Sequence, residues 1–213
     1  MSKIAIIGAG NIGAAAAKLF VNAGHDVAVS NSRGPSTLTP LVNSLGPHAR
    51  AMTVADGARW ADIVLLAVPW RSPEALPPAD AVAGKIVIDA MNPYGSDGQV
   101  MDLEPSTSSE ATAKRLPGAR IVKAFNTIYF KHLESRGRPD LPLDDRHAIF
   151  VAGDDEAAKR EVIALIEAIG FGPVDTGTLV EGGRRQQPNT PLYNQVITRR
   201  EGLARLGAQI ERQ

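Results

Sequence analysis

The chain has no cysteine among its 213 residues. That excludes disulfides and thiolate chemistry and removes one argument for secretion. Neither sign of charge is in excess: 23 Lys and Arg balance 23 Asp and Glu, so no global field points to nucleic acid or an acidic membrane as partner. No apolar run approaches the ~18 residues of a membrane-spanning helix. Met1-Ser2-Lys3 leads straight into an apolar segment without the charged-then-apolar pattern of a signal peptide, so the expected localisation is cytoplasmic. There is no Tyr-x-x-x-Lys pair of the kind short-chain reductases use to protonate a carbonyl. No His/Cys/carboxylate cluster has metal-ligand spacing, and His25, His48, His132 and His147 are scattered. Repeats and low-complexity tracts are missing too. What remains is a chain 44% hydrophobic, ample for a core.

The most informative string present is Gly8-Ala9-Gly10-Asn11-Ile12-Gly13, between the apolar strand Lys3-Ile4-Ala5-Ile6-Ile7 and an alanine-rich helix. A strand before and a helix after are what a dinucleotide-binding glycine turn requires. Gly8 permits the tight turn, Gly10 leaves room for a pyrophosphate, and Gly13 lets helix and strand pack closely. The free N–H groups at the helix start favour an anion. The second strand, Asp26-Val27-Ala28-Val29-Ser30, is followed by Asn31-Ser32-Arg33. An NAD site needs a carboxylate here for the ribose 2′-hydroxyl, and none is present. Amide and hydroxyl groups with a guanidinium suit a 2′-phosphate instead. NADP(H) is therefore the expected nucleotide, with a solvated loop as the alternative for Arg33.

Further along, apolar runs alternate with amphipathic stretches, which predicts a Rossmann-like, doubly wound, mostly parallel α/β sheet. Helices are expected at 38–45 and 106–116, and a helical turn at 55–60. Strands are expected at 49–53, 63–68, 86–89 and 120–125. Residues 134–145 read as an excursion, 147–153 and 171–175 as strands, and 154–170 as a helix opened by Asp154-Asp155. Residues 181–191 read as a polar, basic segment and 192–210 as the terminal helix. The organisation expected is a dinucleotide-binding domain over 1–133 and a small C-terminal α/β extension over 134–213 that packs on it.

Ligands of such sheets bind outside the carboxyl ends of the strands. That rule selects the glycine turn, Ser30 to Arg33, Val68-Pro69-Trp70-Arg71, Met91-Asn92-Pro93 and Phe125-Asn126-Thr127. Val68 and Pro69 offer a flat surface for a nicotinamide, and groups around Asn92 and Asn126 can bind its carboxamide. The alternatives are a packed core role for Trp70 and an Asn-Pro turn at Asn92. Lys123 and His132 are the candidate catalytic acids, with Tyr129 a further source for a carbonyl or imine substrate. Within a strand, the plainer reading of Lys123 is a structural or helix-facing role. Hydride transfer between two rings needs no obligatory side-chain acid, only alignment and exclusion of water. Arg71, Arg184 and Arg185 are candidates to rim the pocket and attract an anionic ring, with a solvated basic loop as the alternative.

In their order, Ile4 to Gly13, Asn31-Ser32-Arg33, Val68-Pro69-Trp70, Asp89-Ala90-Met91-Asn92-Pro93, Val122 to Thr127 and Val151-Ala152-Gly153-Asp154-Asp155 resemble one family. It comprises the NADPH-dependent reductases of 8-hydroxy-5-deazaflavin (coenzyme F-420), with the related NADP-binding domain of the transmembrane metalloreductases. The likeness runs to about Ile210. Residues 123–127 are closer to the metalloreductase domain. The resemblance implies hydride exchange between NADPH and C5 of a deazaflavin, or a flavin-like ring, in a homodimer. It implies pyrophosphate contacts at Gly10, Asn11 and Ile12 and 2′-phosphate contacts at Ser32 and Arg33. The partner implied is a small redox molecule, with neither nucleic acid nor membrane. Two other readings stay open: an NADPH-dependent carbonyl or imine reductase, and a non-catalytic NADPH-binding sensor.

Overall fold

Eight strands form one sheet in the computed structural model, which describes residues 1–210, in the order β3-β2-β1-β4-β5-β6-β7-β8. β1 (Lys3–Ile7) pairs in parallel with β2 (Asp26–Ser30) on one side and β4 (Ile63–Leu66) on the other. β3 (Ala49–Ala51) extends the β2 edge, and β5 (Ile86–Asp89) and β6 (Arg120–Lys123) continue beyond β4, all parallel. β7 (Ala148–Gly153) runs antiparallel to β6, and β8 (Gly172–Asp175) parallel to β7. The sheet is thus mostly parallel, as the alternation of elements predicts.

The central strands are apolar because both faces are covered. Ile4, Ile6, Leu65 and Ile88 face one core layer, and Ala5, Ile7, Val64 and Val87 the other. α1 (Asn11–Asn22) lies over the first layer through Ala15, Ala16, Ala17 and Phe20, and small alanines let it sit close. α7 (Glu156–Ala168) covers the same layer farther along, through Ala158, Val162, Leu165 and Ile166. α2 (Thr39–Leu45), after a 3-10 turn at Pro35–Leu38, packs beside α1. α3 (Val54–Trp60) and α4 (Ala79–Val82) back the second layer, with α5 (Ser108–Arg115) placed against β6.

The boundary expected after residue 133 falls inside α6 (Phe130–Ser135), and β7 carries the same sheet onward. The last third differs from the sequence pattern in two places. A short helix, α8 (Glu181–Arg185), occupies the segment read as polar loop. Its two glycines hide it from a propensity reading, but one of them is needed: a Cβ on Gly182 would come within 2.5 Å of Thr176 Oγ1 and 2.8 Å of Ala152 Cβ. The terminal helix, α9 (Arg199–Ile210), starts later than residue 192. Thr198 and Glu201 cap it reciprocally. Glu201 Oε2 accepts from the Thr198 N–H at 2.7 Å, and Thr198 Oγ1 from the Glu201 N–H at 3.3 Å.

Candidate functional site

The glycine turn divides the row of strand ends into two cavities. Gly8 holds φ +107°, and a Cβ there would meet the Ala67 carbonyl oxygen at 2.4 Å. At Gly13 a Cβ would lie 1.9 Å from the Gly8 oxygen, so both positions are fixed by contact with neighbouring backbone. Gly10 differs. Nothing stands within 4 Å of the place its Cβ would take, so its Cα faces open space. Gly10 also caps α1 without a side chain, and the first turn of α1 carries no acid. The helix therefore presents bare N–H groups and a positive dipole end to that space.

The first cavity, of about 590 Å³, is lined by Gly8, Ala9, Gly10, Asn31, Ser32 and Arg33, with Val68 and Pro69 opposite. Asn31 builds the turn after β2: its Oδ1 accepts from the Arg33 N–H at 3.0 Å and its Nδ2 donates to Thr37 Oγ1 at 2.9 Å. Thr37 Oγ1 in turn donates to the Gly34 carbonyl at 2.8 Å. That leaves Asn31 occupied within the protein and the Ser32 and Arg33 side chains exposed, with no partner among the described residues. An exposed guanidinium and hydroxyl beside open helix N–H groups fit a phosphorylated dinucleotide. Val68 and Pro69, expected beneath the nicotinamide, line this first cavity with Asn31 to Arg33. Trp70 turns away from the crevice. Its indole is buried, donates from Nε1 to the Ser108 carbonyl at 3.3 Å, and carries the Arg115 guanidinium 4.6 Å over its ring.

The second cavity, of about 230 Å³, lies on the far side of the turn, where Asn11 and Ile12 meet the ends of β5 and β6. Asn92 and Asn126 face each other there. Asn92 Nδ2 donates to the Asn126 carbonyl at 2.9 Å, and Asn126 Nδ2 to Asn92 Oδ1 at 3.1 Å and to the Gln186 carbonyl at 2.8 Å. Asn126 Oδ1 is buried without a hydrogen-bond partner. Such an orphan acceptor costs ~1–3 kcal/mol unless something donates to it, and a carboxamide N–H is such a donor. Phe125, just before it, takes φ +65°, a conformation that turns the chain out of β6 so that Asn126 points back at Asn92.

Two residues the sequence reading missed complete this cavity. Tyr193 lines it, and Tyr94 O–H donates to Tyr193 Oη at 3.1 Å, with Asn92 Nδ2 3.4 Å from the same oxygen. Burial, then the Tyr94 hydrogen bond, push the Tyr193 phenol above its ordinary range, so it stays protonated. The Asn194 N–H bonds the Thr127 carbonyl at 2.8 Å, which ties this late segment over the β6 end. Tyr129, Phe130 and Phe125 supply the aromatic remainder of the wall, Tyr129 being 42% exposed at its mouth.

The candidate acids fare differently. Lys123 is buried, its Nζ donating to the Met91 carbonyl and lying 3.4 Å from Asp89 Oδ2. Burial pulls its pKa below the usual lysine range, and Asp89 opposes that shift. Asp89 also accepts from the Met91 N–H and from Ser109 Oγ. The pair is sealed from any substrate and knits β5, β6 and α5 together. His132 packs against Tyr129 and His147, at ring distances of 5.6 and 5.9 Å, and lines neither cavity. Arg71 bonds the Gly95 carbonyl, Arg184 pairs with Glu104, and Arg185 donates to the Thr176 carbonyl. Arg184 and Arg185 line a separate cavity that shares no residue with the two at the strand ends. The arginine rim is therefore not formed.

Over 178 residues, 83% of this chain, the sequence is 30% identical to the metalloreductase STEAP3 of Rattus norvegicus. The chain spans about a third of the length of the curated relatives it matches. Among solved structures, hypothetical protein SMa0349 from Sinorhizobium meliloti superposes with TM-score 0.81 at 36% identity, over 93% of this chain and 96% of that one. A protein of Arthrobacter sp. FB24 assigned as an F420-dependent NADP-reductase superposes with TM-score 0.74 at 28% identity, over 93% and 100%. Among the described residues no helix is long and apolar enough to cross a membrane. Residues 3–93, which carry the glycine turn, Asn31 to Arg33 and Val68-Pro69, match the model of the family described as NADP oxidoreductase, coenzyme F420-dependent.

Proposed function

We propose that the protein binds NADP(H) across both cavities and transfers a hydride between it and a deazaflavin or flavin-like ring seated at the second. The observation that carries this reading is the aromatic lining of that cavity, Phe125, Tyr129, Phe130 and Tyr193 around the Asn92–Asn126 amide pair. Flat walls with few charged groups suit a planar ring. The family description and the assignment of the Arthrobacter relative support the deazaflavin in particular. The metalloreductase relatives support the coarser reading of a module that delivers reducing equivalents from NADPH.

In this account bound NADPH supplies the hydride. Ser32 and Arg33 hold the 2′-phosphate by charge-assisted hydrogen bonds. Gly10, Asn11 and Ile12 hold the pyrophosphate through the start of α1. Asn126 Oδ1 accepts from the carboxamide and so fixes which way the nicotinamide faces. Aromatic walls exclude water and hold the second ring against it. Lys123 keeps β5 and β6 in register and takes no part in proton transfer. The working unit is a homodimer, which sedimentation velocity tests.

Stopped-flow oxidation of NADPH against coenzyme F420, FMN and a panel of small carbonyls and imines tests the proposal. Fast oxidation by a ring acceptor is expected. Oxidation by an imine or carbonyl alone would support the second reading, which the half-buried Tyr193 hydroxyl favours. Binding of NADPH without oxidation by any acceptor would point to a sensor.

A further inference from the structure

Tyr193 stands out as a phenol that the nucleotide does not need. It lies 101 residues from Asn92 in sequence and reaches the cavity only because residues 186–194 return over the end of β6. Its oxygen has two donors directed at it, the Tyr94 O–H at 3.1 Å and the Asn92 amide at 3.4 Å. Asn92 Nδ2 uses its other hydrogen on the Asn126 carbonyl. A phenol oxygen that accepts from both neighbours keeps its own proton to give elsewhere, and Tyr193 lines the cavity together with Asn92.

We propose that Tyr193 is the proton donor to the second substrate: its O–H bonds the N1–C2=O edge of the bound ring and gives N1 the proton required when the ring is reduced. The inference rests on the ring reading above and names the residue that does this work. When the ring gains a hydride at its central position, an electron pair moves through the conjugated system to N1. The Tyr193 O–H bond breaks, an N1–H bond forms, and the phenolate left behind is held by the Asn92 amide and the Tyr94 hydroxyl. Water then returns a proton by way of Tyr94. The Asn92 amide directed at the oxygen lowers the cost of the phenolate without any cation nearby. Lys123 cannot take the role because Met91, Ser108 and Asp89 hold its ammonium within the core.

The test uses the full chain and Tyr193→Phe, which keeps the ring and removes the hydroxyl. NADP⁺ affinity, by intrinsic-fluorescence titration, is expected to stay within twofold of wild type. The Kd of coenzyme F420 in the dead-end complex with NADP⁺ is expected to rise about 5- to 10-fold, as for loss of one hydrogen bond. Single-turnover reduction should slow ~100-fold or more and lose its solvent isotope effect. Unchanged ring affinity and unchanged rate would overturn the assignment of Tyr193 while leaving the ring reading intact. A wild-type protein that binds NADP⁺ but neither F420 nor FMN would overturn the ring reading itself. If Tyr193→Phe misfolds by circular dichroism, Tyr94→Phe decides. Ring Kd near wild type with a rate about tenfold lower supports the proton path, and an unchanged rate overturns it.

Discussion

Arg33→Ala is the perturbation whose outcome follows most directly from the geometry. The guanidinium is exposed and has no partner among the described residues, so its removal strips no internal interaction. The turn that carries it is built by Asn31 and Thr37, through bonds of 2.9 and 3.0 Å that the substitution leaves alone, since the Arg33 N–H is main chain. Stability should therefore stay within ~0.5 kcal/mol of wild type. What is lost is the hydrogen bonding to a 2′-phosphate. Bonds to charged groups contribute ~1.5–3 kcal/mol, and ~1.4 kcal/mol is tenfold. NADPH affinity should thus fall about 10- to 150-fold, whereas NADH, without that phosphate, should bind as before. The wild-type preference should also shrink as salt rises, because an exposed ion pair is screened. Parallel titrations of both nucleotides, at low and high salt, measure all of this. Equal losses for NADPH and NADH would refute the placement of the 2′-phosphate.

Three further outcomes test the rest of the site. Gly10→Val should abolish nucleotide binding with the melting temperature nearly unchanged, because its side chain enters open space and its φ of −79° suits any residue. Gly13→Ala should instead cost ~1–3 kcal/mol of stability, as for overpacking, since a Cβ would sit 1.9 Å from the Gly8 oxygen; an Ala variant as stable as wild type would contradict the contact. Lys123→Ala should destabilise by ~3–5 kcal/mol by leaving Asp89 buried without its cation, with the combined Lys123→Met and Asp89→Leu change milder; denaturant melts measure both, and a fully stable Lys123→Ala protein would reopen a functional role. Burial, then the charges of Arg136 and His132, lower the His147 pKa to about 4. Between its ordinary value and that one the unfolded chain binds the extra proton, so stability should fall as pH drops from ~6.5 toward 4, by ~3 kcal/mol in all; His147→Phe should flatten that part of the curve, and an equally steep curve would contradict the assignment.

Where local chemistry determines the structure, the sequence was a sufficient guide. The glycine turn, the exposed Asn31-Ser32-Arg33 corner and the alternation through β6 all follow from residues close together in the chain, and each lies where the pattern places it. The second cavity was legible only in part. Asn92 and Asn126 are visible as strand-end residues, but their mutual pairing depends on the left-handed Phe125, which a sequence does not display for a bulky residue. Tyr193 could not be found by spacing, because only the return of a loop over β6 brings it to Asn92. The late start of α9 did leave a signal: Thr198-Arg199-Arg200-Glu201 is a capping box, and it outweighs the apolar residues upstream. Trp70 read as a strand-end group because it follows Val68-Pro69, yet its size and its indole N–H favour the core and the Ser108 carbonyl. The arginines of α8 were drawn away from the site by partners on other segments, Glu104 and Thr176.

The central claim, hydride transfer from NADPH to a ring seated at the Asn92–Asn126–Tyr193 cavity, is tested most directly with NADPH deuterated at C4. Coenzyme F420 is the acceptor to use, because its C5 is carbon and retains a transferred deuteron. Mass spectrometry of the reduced ring after a single turnover should find one deuteron, delivered from one face of the nicotinamide only, with NADH at the same concentration giving far less product. A protein that binds NADPH tightly and leaves the ring unreduced, or that reduces it with no deuteron at C5, would contradict the account.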